Sequence, residues 1–286
     1  MLPTLFKVGP FTAHSMGIMM AIGVLFGLFV SWKKAKESHV DDNRFFDVAF
    51  LTLFWGLVGA RVGYILMHFG EFGMNPLKWV WLTNYVGLSF WGALVGVVSF
   101  LIVRLWKGEE DLFLWLDYLS LGMLAGIPWG FLAAFLNGSY MGMEVDGFWG
   151  LRFPGYDRGV LPIQIVMMLV YVVFFVWWWR MEGEYRMLSW YRAGRVAAKT
   201  GFLWFGFLIF VGFSFGLASF FRGEQALVFG VSVDLIGSVV CGVVGVVGLY
   251  RRSGRRLRDD LRRKKTGVDK RRETSRASKI GRGVVN

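Results

Sequence analysis

Chemistry inside a bilayer begins with polar groups placed where burial makes them costly, and three stretches of this 286-residue chain carry such groups. GARVGY, Gly59 to Tyr64, sets Arg61 inside a long apolar run between glycines four residues apart. Glycines at that spacing let helices approach closely. The arginine either snorkels to an interface or turns its planar fork of donors toward protein, water or a lipid phosphate. GIPWGFLAAFLNGSYMG, residues 126–142, closes an apolar run on Asn137, Gly138 and Ser139. That ending suits a C-terminal helix cap, because Asn and Gly tolerate the left-handed conformation, or else a site for a ligand. Arg222, beside Glu224, ends a later apolar run as a boundary residue or as a second cation for an anionic ligand. Other chemistries lack their residues. His14, His39 and His68 have no ligand spacing and Cys241 is the sole cysteine, so no metal site and no internal disulfide are expected. Asp117 and Asp234 fall near the ends of apolar runs, and no chain of intramembrane carboxylates or inverted repeat points to a transporter.

The elements that position these groups follow from composition. Hydrophobic residues make up 55% of the chain and charged ones 18%, which predicts an integral membrane protein over a soluble domain. Runs of about 20 apolar residues, the length that crosses a bilayer, fall near 14–32, 45–68, 87–106, 112–136, 162–180, 201–221 and 230–250. Backbone groups in lipid must be satisfied internally, and no alternating barrel pattern is present, so the fold class expected is all-α with seven transmembrane helices. The loops 33–44, 104–111 and 180–200 hold eleven Lys and Arg, against five in the opposite set. Basic residues concentrate on the cytoplasmic side, which sets the N-terminus outside and the C-terminus inside. The first run is followed by Lys33, Lys34 and Lys36 and has no cleavage site, so it reads as a span and not as a signal peptide.

The net charge of +12 belongs almost entirely to residues 251–286, which hold 15 Lys and Arg against 4 Asp and Glu. A transmembrane domain over 1–250 and a basic, disordered cytoplasmic tail over 251–286 are therefore expected. Such a cluster next to a span gains roughly 1 kcal/mol per residue on an anionic membrane surface. Without stacking aromatics it is a weak nucleic-acid signal. Trp177, Trp178 and Trp179 before Arg180 read as an interfacial aromatic belt. Residues 180–200 read as a helix lying in the inner interface, with Met181, Tyr185, Leu188 and Trp190 among its apolar contacts.

Along most of the chain before the tail, the sequence resembles the prolipoprotein diacylglyceryl transferases. VGPFTAHSMGIMMAIG (8–23) is similar to the family's opening segment, GARVGY to its second-span arginine motif and VGLSFWGALVG (86–96) to its third-span motif. The family signature falls on 130–142, where Gly130, Ala133, Phe135, Asn137, Gly138 and Gly142 fit. WGLRFP (149–154) and LPIQ (161–164) match two further segments. The resemblance implies seven spans in the orientation above, in a bacterial cytoplasmic (inner) membrane. It implies transfer of a diacylglyceryl group from phosphatidylglycerol to the cysteine thiol of a lipoprotein precursor, with release of glycerol phosphate and no cofactor. That chemistry needs fixed cations for the departing phosphate and help in deprotonating the thiol. On this resemblance Arg61, Asn137, Gly138, Gln164 and Arg222 are candidates for binding phosphatidylglycerol or another anionic phospholipid.

Several of the family's polar positions hold other residues here. Phe131 and Phe215 stand at two arginine positions, Trp91 at a histidine proposed as a base, and Ala134 at an asparagine. Ser139 and Ser219 stand at glutamates, Val211 at a tyrosine, Leu161 at a histidine and Met16 at the first-span tyrosine. Replacing several members of a charged network together avoids stranding a buried charge. Two readings stay open: a divergent transferase using Arg61 and Arg222 on the phosphate with Asn137 orienting the head group, or a noncatalytic protein that binds phospholipid or a lipoprotein segment on the same scaffold.

Overall fold

The computed structural model describes residues 4–8, 11–80, 87–105, 111–147, 149–153, 156–185, 188, 199–223, 226–228 and 230–254. Seven long helices dominate it: α1 (Ser15–Glu37), α2 (Asp42–Met67), α5 (Phe90–Leu105), α6 (Leu112–Asn137), α7 (Ile163–Glu184), α8 (Phe202–Ser219) and α9 (Val233–Ser253). Six of them are long and apolar enough to cross a membrane, and α5 is an apolar helix of 16 residues. The short helices α3 (Phe69–Phe72) and α4 (Pro76–Val80) lie between α2 and α5. Among the described residues there are also three two-stranded antiparallel sheets: β1 (Thr4–Val8) with β2 (Phe11–His14), β3 (Glu144–Val145) with β4 (Gly159–Val160), and β5 (Leu227–Val228) with β6 (Val231–Ser232). They share the end of the bundle where α6 stops and α9 starts; the other end carries Lys34, Lys36, Arg104, Arg251 and Arg252 in the last turns of α1, α5 and α9.

Local chemistry sets the helix limits. Asp41, Asp111 and Ser232 cap α2, α6 and α9 by accepting from the backbone N–H of Arg44, Phe113 and Leu235, each satisfying a donor with no partner inside its own helix. Gly138 and Gly254 end α6 and α9 in the left-handed conformation.

Packing is pairwise, α1 on α6, α2 on α5, α9 on α8 and α6 on α7, and small residues set the distances. A Cβ on Gly27 would stand 2.6 Å from the Gly122 carbonyl oxygen, and one on Gly23 2.9 Å from that of Gly126. Ser31 adds a hydrogen bond to the Tyr118 carbonyl at 3.0 Å. Gly59 and Gly63, read from the sequence as a packing pair, meet Gly92 and Gly96 of α5 in this way. A Cβ at Gly59 would lie 2.5 Å from the Gly92 oxygen and 2.8 Å from the Gly96 Cα, both rigid backbone. Gly59→Ala is therefore expected to force α2 and α5 apart and to cost about 1–3 kcal/mol. Gly17→Ala, which meets nothing within 4 Å, is the control: thermal unfolding in detergent should show a lower midpoint for the first and an unchanged one for the second.

The basic end corrects two expectations. The first helix runs five residues beyond the apolar limit at Trp32, because Lys34 is buried and compensated. Its ammonium lies 2.7 Å from Glu37, 2.8 Å from Glu182 of α7 and 4.2 Å from the Trp179 ring. The three tryptophans do not form one belt. Trp177 is half exposed, Trp179 takes the lysine, and Trp178 is buried against Phe174 and Phe202 and donates to the Leu203 carbonyl. Of the interfacial helix expected over 180–200, residues 180–184 continue α7 and Tyr185 stacks on Phe202. Residues 186–187 and 189–198, including Trp190, lie outside the described residues, as does the tail from 255 onward.

Candidate functional site

Between α1, α2 and α6, closed by side chains of α5 and α8, lies a cavity of about 530 Å³. Among the described residues its wall holds no Asp, Glu, Lys, Arg or His. The Ser31 and Thr52 hydroxyls in that wall donate to backbone carbonyls, so apart from Tyr118, Ser139 and Tyr140 the interior is largely apolar. Its volume is in the range of small-molecule sites, roughly 300–1,000 Å³, and its character suits hydrocarbon. Toward the hairpin end the wall is built from Phe131, Ala134, Ser139, Tyr140 and Phe215.

The stretch from 130 to 142 forms that end of the wall because of how α6 stops. Gly138 takes φ 75° and ψ 32°, its N–H bonding back to the carbonyls of Ala134 and Phe135, while Asn137 is the last helical residue and is half buried. Tyr140 also has positive φ, 59°, so the chain turns sharply and lays residues 139–143 across the bundle. Gln164, wholly buried at the start of α7, donates to the Ser139 carbonyl at 2.8 Å and approaches the Met141 sulfur at 3.3 Å. Gly142 pairs with Arg222 as an isolated bridge, and Met143 N–H reaches the Phe221 carbonyl at 2.8 Å. A left-handed residue with a Cβ costs roughly 1–2 kcal/mol. Gly138→Ala is thus expected to lower stability by about that amount and Gly138→Asn by less, read as thermal midpoints of the purified variants.

At this strap the positions singled out from the sequence converge. Phe131 of α6 and Phe215 of α8 stand with ring centroids 6.0 Å apart. Phe90 stacks on Phe215 at 4.9 Å, and Trp91 meets it edge-on at 5.4 Å. Trp91 donates its indole N–H to Asp234 Oδ1 at 3.0 Å, and the other carboxylate oxygen pairs with the Arg222 guanidinium. That guanidinium sits 4.0 Å from the centre of the Tyr140 ring, within cation–π range. Burial pushes the Tyr140 phenol up, so it stays a neutral hydroxyl. The Arg222–Asp234 ion pair thus lies beyond the apolar cavity's end, with the Tyr140 ring between Arg222 and the cavity.

Arg61 is placed elsewhere. It is buried on α2, outside the cavity wall, and donates to the carbonyls of Lys78 at 3.0 Å, Trp79 at 2.8 Å and Gly87 at 3.1 Å, over the Phe72 ring. It fastens α4 and the approach to α5 onto α2. The structure brings Trp91, Phe131, Asn137, Gly138, Gln164, Phe215 and Arg222 to one end of the cavity and leaves Arg61 apart.

Two residues of this site escaped the sequence reading. Tyr140 carried no polar signature, and Asp234 looked like an ordinary helix-end carboxylate. The signal for Asp234 was the hairpin: β5 and β6 fold the chain back between Arg222 and Asp234, bringing a charge pair twelve residues apart into contact.

Six helices of bilayer length and composition define a multi-pass membrane protein, with the apolar cavity lying among them. The family model for prolipoprotein diacylglyceryl transferase matches residues 3–251, and the chain belongs to that family. It is similar to the phosphatidylglycerol–prolipoprotein diacylglyceryl transferase of Aliivibrio salmonicida, 32% identical over 53% of this chain and 54% of the relative. The protein of that name from Stenotrophomonas maltophilia is 30% identical over 53% and 52%. In both cases the chain spans about half the length of the curated relative it matches. A further protein of that name, from Mannheimia succiniciproducens, is 25% identical over 87% of this chain and 93% of the relative.

Proposed function

We propose that this protein transfers a diacylglyceryl group from phosphatidylglycerol to the cysteine thiol of a lipoprotein precursor. The observation that carries this reading is the apolar cavity with the Arg222 guanidinium behind its Tyr140 wall, which offers hydrocarbon space near a cation that pairs with Asp234. In the reaction a carbon–sulfur bond forms to the thiolate, the bond from glyceryl carbon to phosphate oxygen breaks, and glycerol phosphate leaves with that electron pair. Arg222 meets the charge that grows on the leaving phosphate; a fixed cation beside a dry cavity acts there without reorganising. Gln164 and Gly138 act through the strap, holding Ser139 and Tyr140 against the cavity, with Asn137 close to the head group. Arg61 positions α4 and Gly87. The helices make seven spans counting α5, with the N-terminus outside and the C-terminus inside a bacterial cytoplasmic membrane, and the basic tail rests on its anionic inner face.

The reading is tested in a bacterium depleted of its own transferase. Expression of this chain should restore diacylglyceryl-modified lipoprotein, whereas unmodified precursor persisting while the protein is present in the membrane would refute it. One observation favours a second reading, a noncatalytic phospholipid or lipoprotein binder: Phe131 and Phe215 fill with aromatic rings the two positions where the family carries arginine. That alternative predicts lipid retention without any modified precursor.

A further inference from the structure

The apolar cavity has a shape as well as a volume. Along α6 its wall runs from Ala134 at the hairpin end to Trp115 near the basic end, about 28 Å of helix at roughly 1.5 Å per residue. That is nearly the whole hydrocarbon thickness of a bilayer, roughly 30 Å. Spread over this length of helix, 530 Å³ leaves a mean cross-section of about 19 Å². One extended polymethylene chain fits such a channel. An α-helix, about 10–12 Å across with its side chains, needs at least about four times the section, so a helical segment of a precursor does not fit. The two ends of the channel differ. Met16, Met20, Val24 and Leu53 belong to its wall and are still 38–45% exposed, so it opens sideways between its middle and the hairpin end. At the basic end Phe45, Val48, Leu101 and Trp115 are all buried, and Phe45 stacks on Trp115 with ring centroids 6.1 Å apart and planes within 10°. The cavity is therefore a channel with a side mouth and a blind end. Its length selects by steric fit, because moving a chain from lipid into an apolar channel removes no surface from water and gains nothing per added methylene. A chain that is too long must fold back or leave its end outside, and one that is too short leaves wall atoms without contacts.

We propose that the cavity seats one acyl chain of the phospholipid, extended past the bilayer midplane, while the other chain stays in the bilayer, and that the depth of the channel from Met123 down to the Phe45–Trp115 floor sets the chain length it accepts. This rests on the phospholipid substrate of the proposed transfer and not on the transfer step. The test places the full-length protein in phosphatidylglycerol bilayers without peptide, together with phosphatidylglycerol that carries a photoactivatable diazirine either near the carbonyl or at the end of one palmitoyl chain. Labelled residues are located by mass spectrometry after proteolysis. The first probe should mark residues 127–134, and the second the level of Met123 and Thr52, about 17 Å of helix further down. Met123→Trp narrows the channel at that level, and Leu28→Trp does so from α1, since Gly27 packs on Gly122. Each should lower end-probe labelling of the deep residues by about tenfold, as overpacking does, and leave labelling by an end-labelled lauroyl chain, which stops short of that level, unchanged. End-probe labelling confined to outward-facing residues such as Val103 and Val173, or labelling of the deep residues unaffected by both tryptophans, overturns the proposal. With no peptide present, a protein that seats the chain and yet fails to lipidate a precursor refutes the transfer alone.

Discussion

Replacing Arg222 with alanine is expected to slow diacylglyceryl transfer by at least about a hundredfold, the usual loss when one preorganised group facing developing charge is deleted. The size of the effect follows from the surroundings. Among the described residues no Asp, Glu, Lys, Arg or His lines the cavity, and on the family resemblance Phe131 and Phe215 occupy arginine positions, so little else shares the load. Arg222→Lys should recover part of the rate, since it keeps the charge and loses the planar fork. Alanine also leaves Asp234 without its partner, and that cost is separable. The double variant Arg222→Ala/Asp234→Ala should regain thermal stability relative to Arg222→Ala and remain as slow. Single-turnover rates of lipidation, with unfolding midpoints of the same preparations, give both readouts.

Asp117→Ala should have the largest effect on folding. Asp117 is 2% exposed on α6, and its two oxygens accept the Gly201 N–H at 2.7 Å and the Trp204 N–H at 2.8 Å. It caps α8 from a neighbouring helix, a task no residue at the start of α8 performs, since Gly201 offers no side chain. Alanine strands two buried donors at roughly 1–3 kcal/mol each, a loss of about 2–6 kcal/mol. Asp117→Asn should fall between, because its amide oxygen still accepts while its NH₂ faces the second N–H. Around this cap Thr200 pairs with Asp111, and Arg252 donates to the Thr200 carbonyl at 2.8 Å over the Phe113 ring, so α6, α8 and α9 are joined there. Thermal unfolding in detergent should show the order wild type, Asn, Ala. Equal midpoints for all three would mean that α8 does not need this cap.

These cases show what a sequence of this kind reveals and what it hides. The long helices were legible because lipid demands long apolar runs and leaves few other ways to satisfy a backbone. Their ends were less so. Lys34 looked like a boundary until Glu182, 148 residues away, turned out to compensate it. The close approach at Gly59 and Gly63 was legible because spacing alone predicts it, but that α5 is the helix they meet was not. Arg61 was legible as a buried cation but not as the clamp on three carbonyls, since two of those partners belong to a five-residue helix too short to show a periodic pattern and the third precedes α5. Asp117 and Asp234 were passed over as helix-end carboxylates. Hydropathy marks where a charge sits along one helix and says nothing of the neighbour that uses it. Phe131, Phe215 and Trp91 lie in three different helices, and their meeting around one point is a property of packing that no single stretch encodes.

The central claim, transfer chemistry at the cavity's Arg222 end, is tested most directly with purified protein in phosphatidylglycerol bilayers. A peptide carrying a lipoprotein-precursor cysteine is supplied, and its mass is followed beside a working transferase as positive control. The account predicts a peptide heavier by one diacylglyceryl group, attached at the cysteine sulfur, in wild type and not in Arg222→Ala. An unmodified peptide with wild type, while the control reacts, would contradict it.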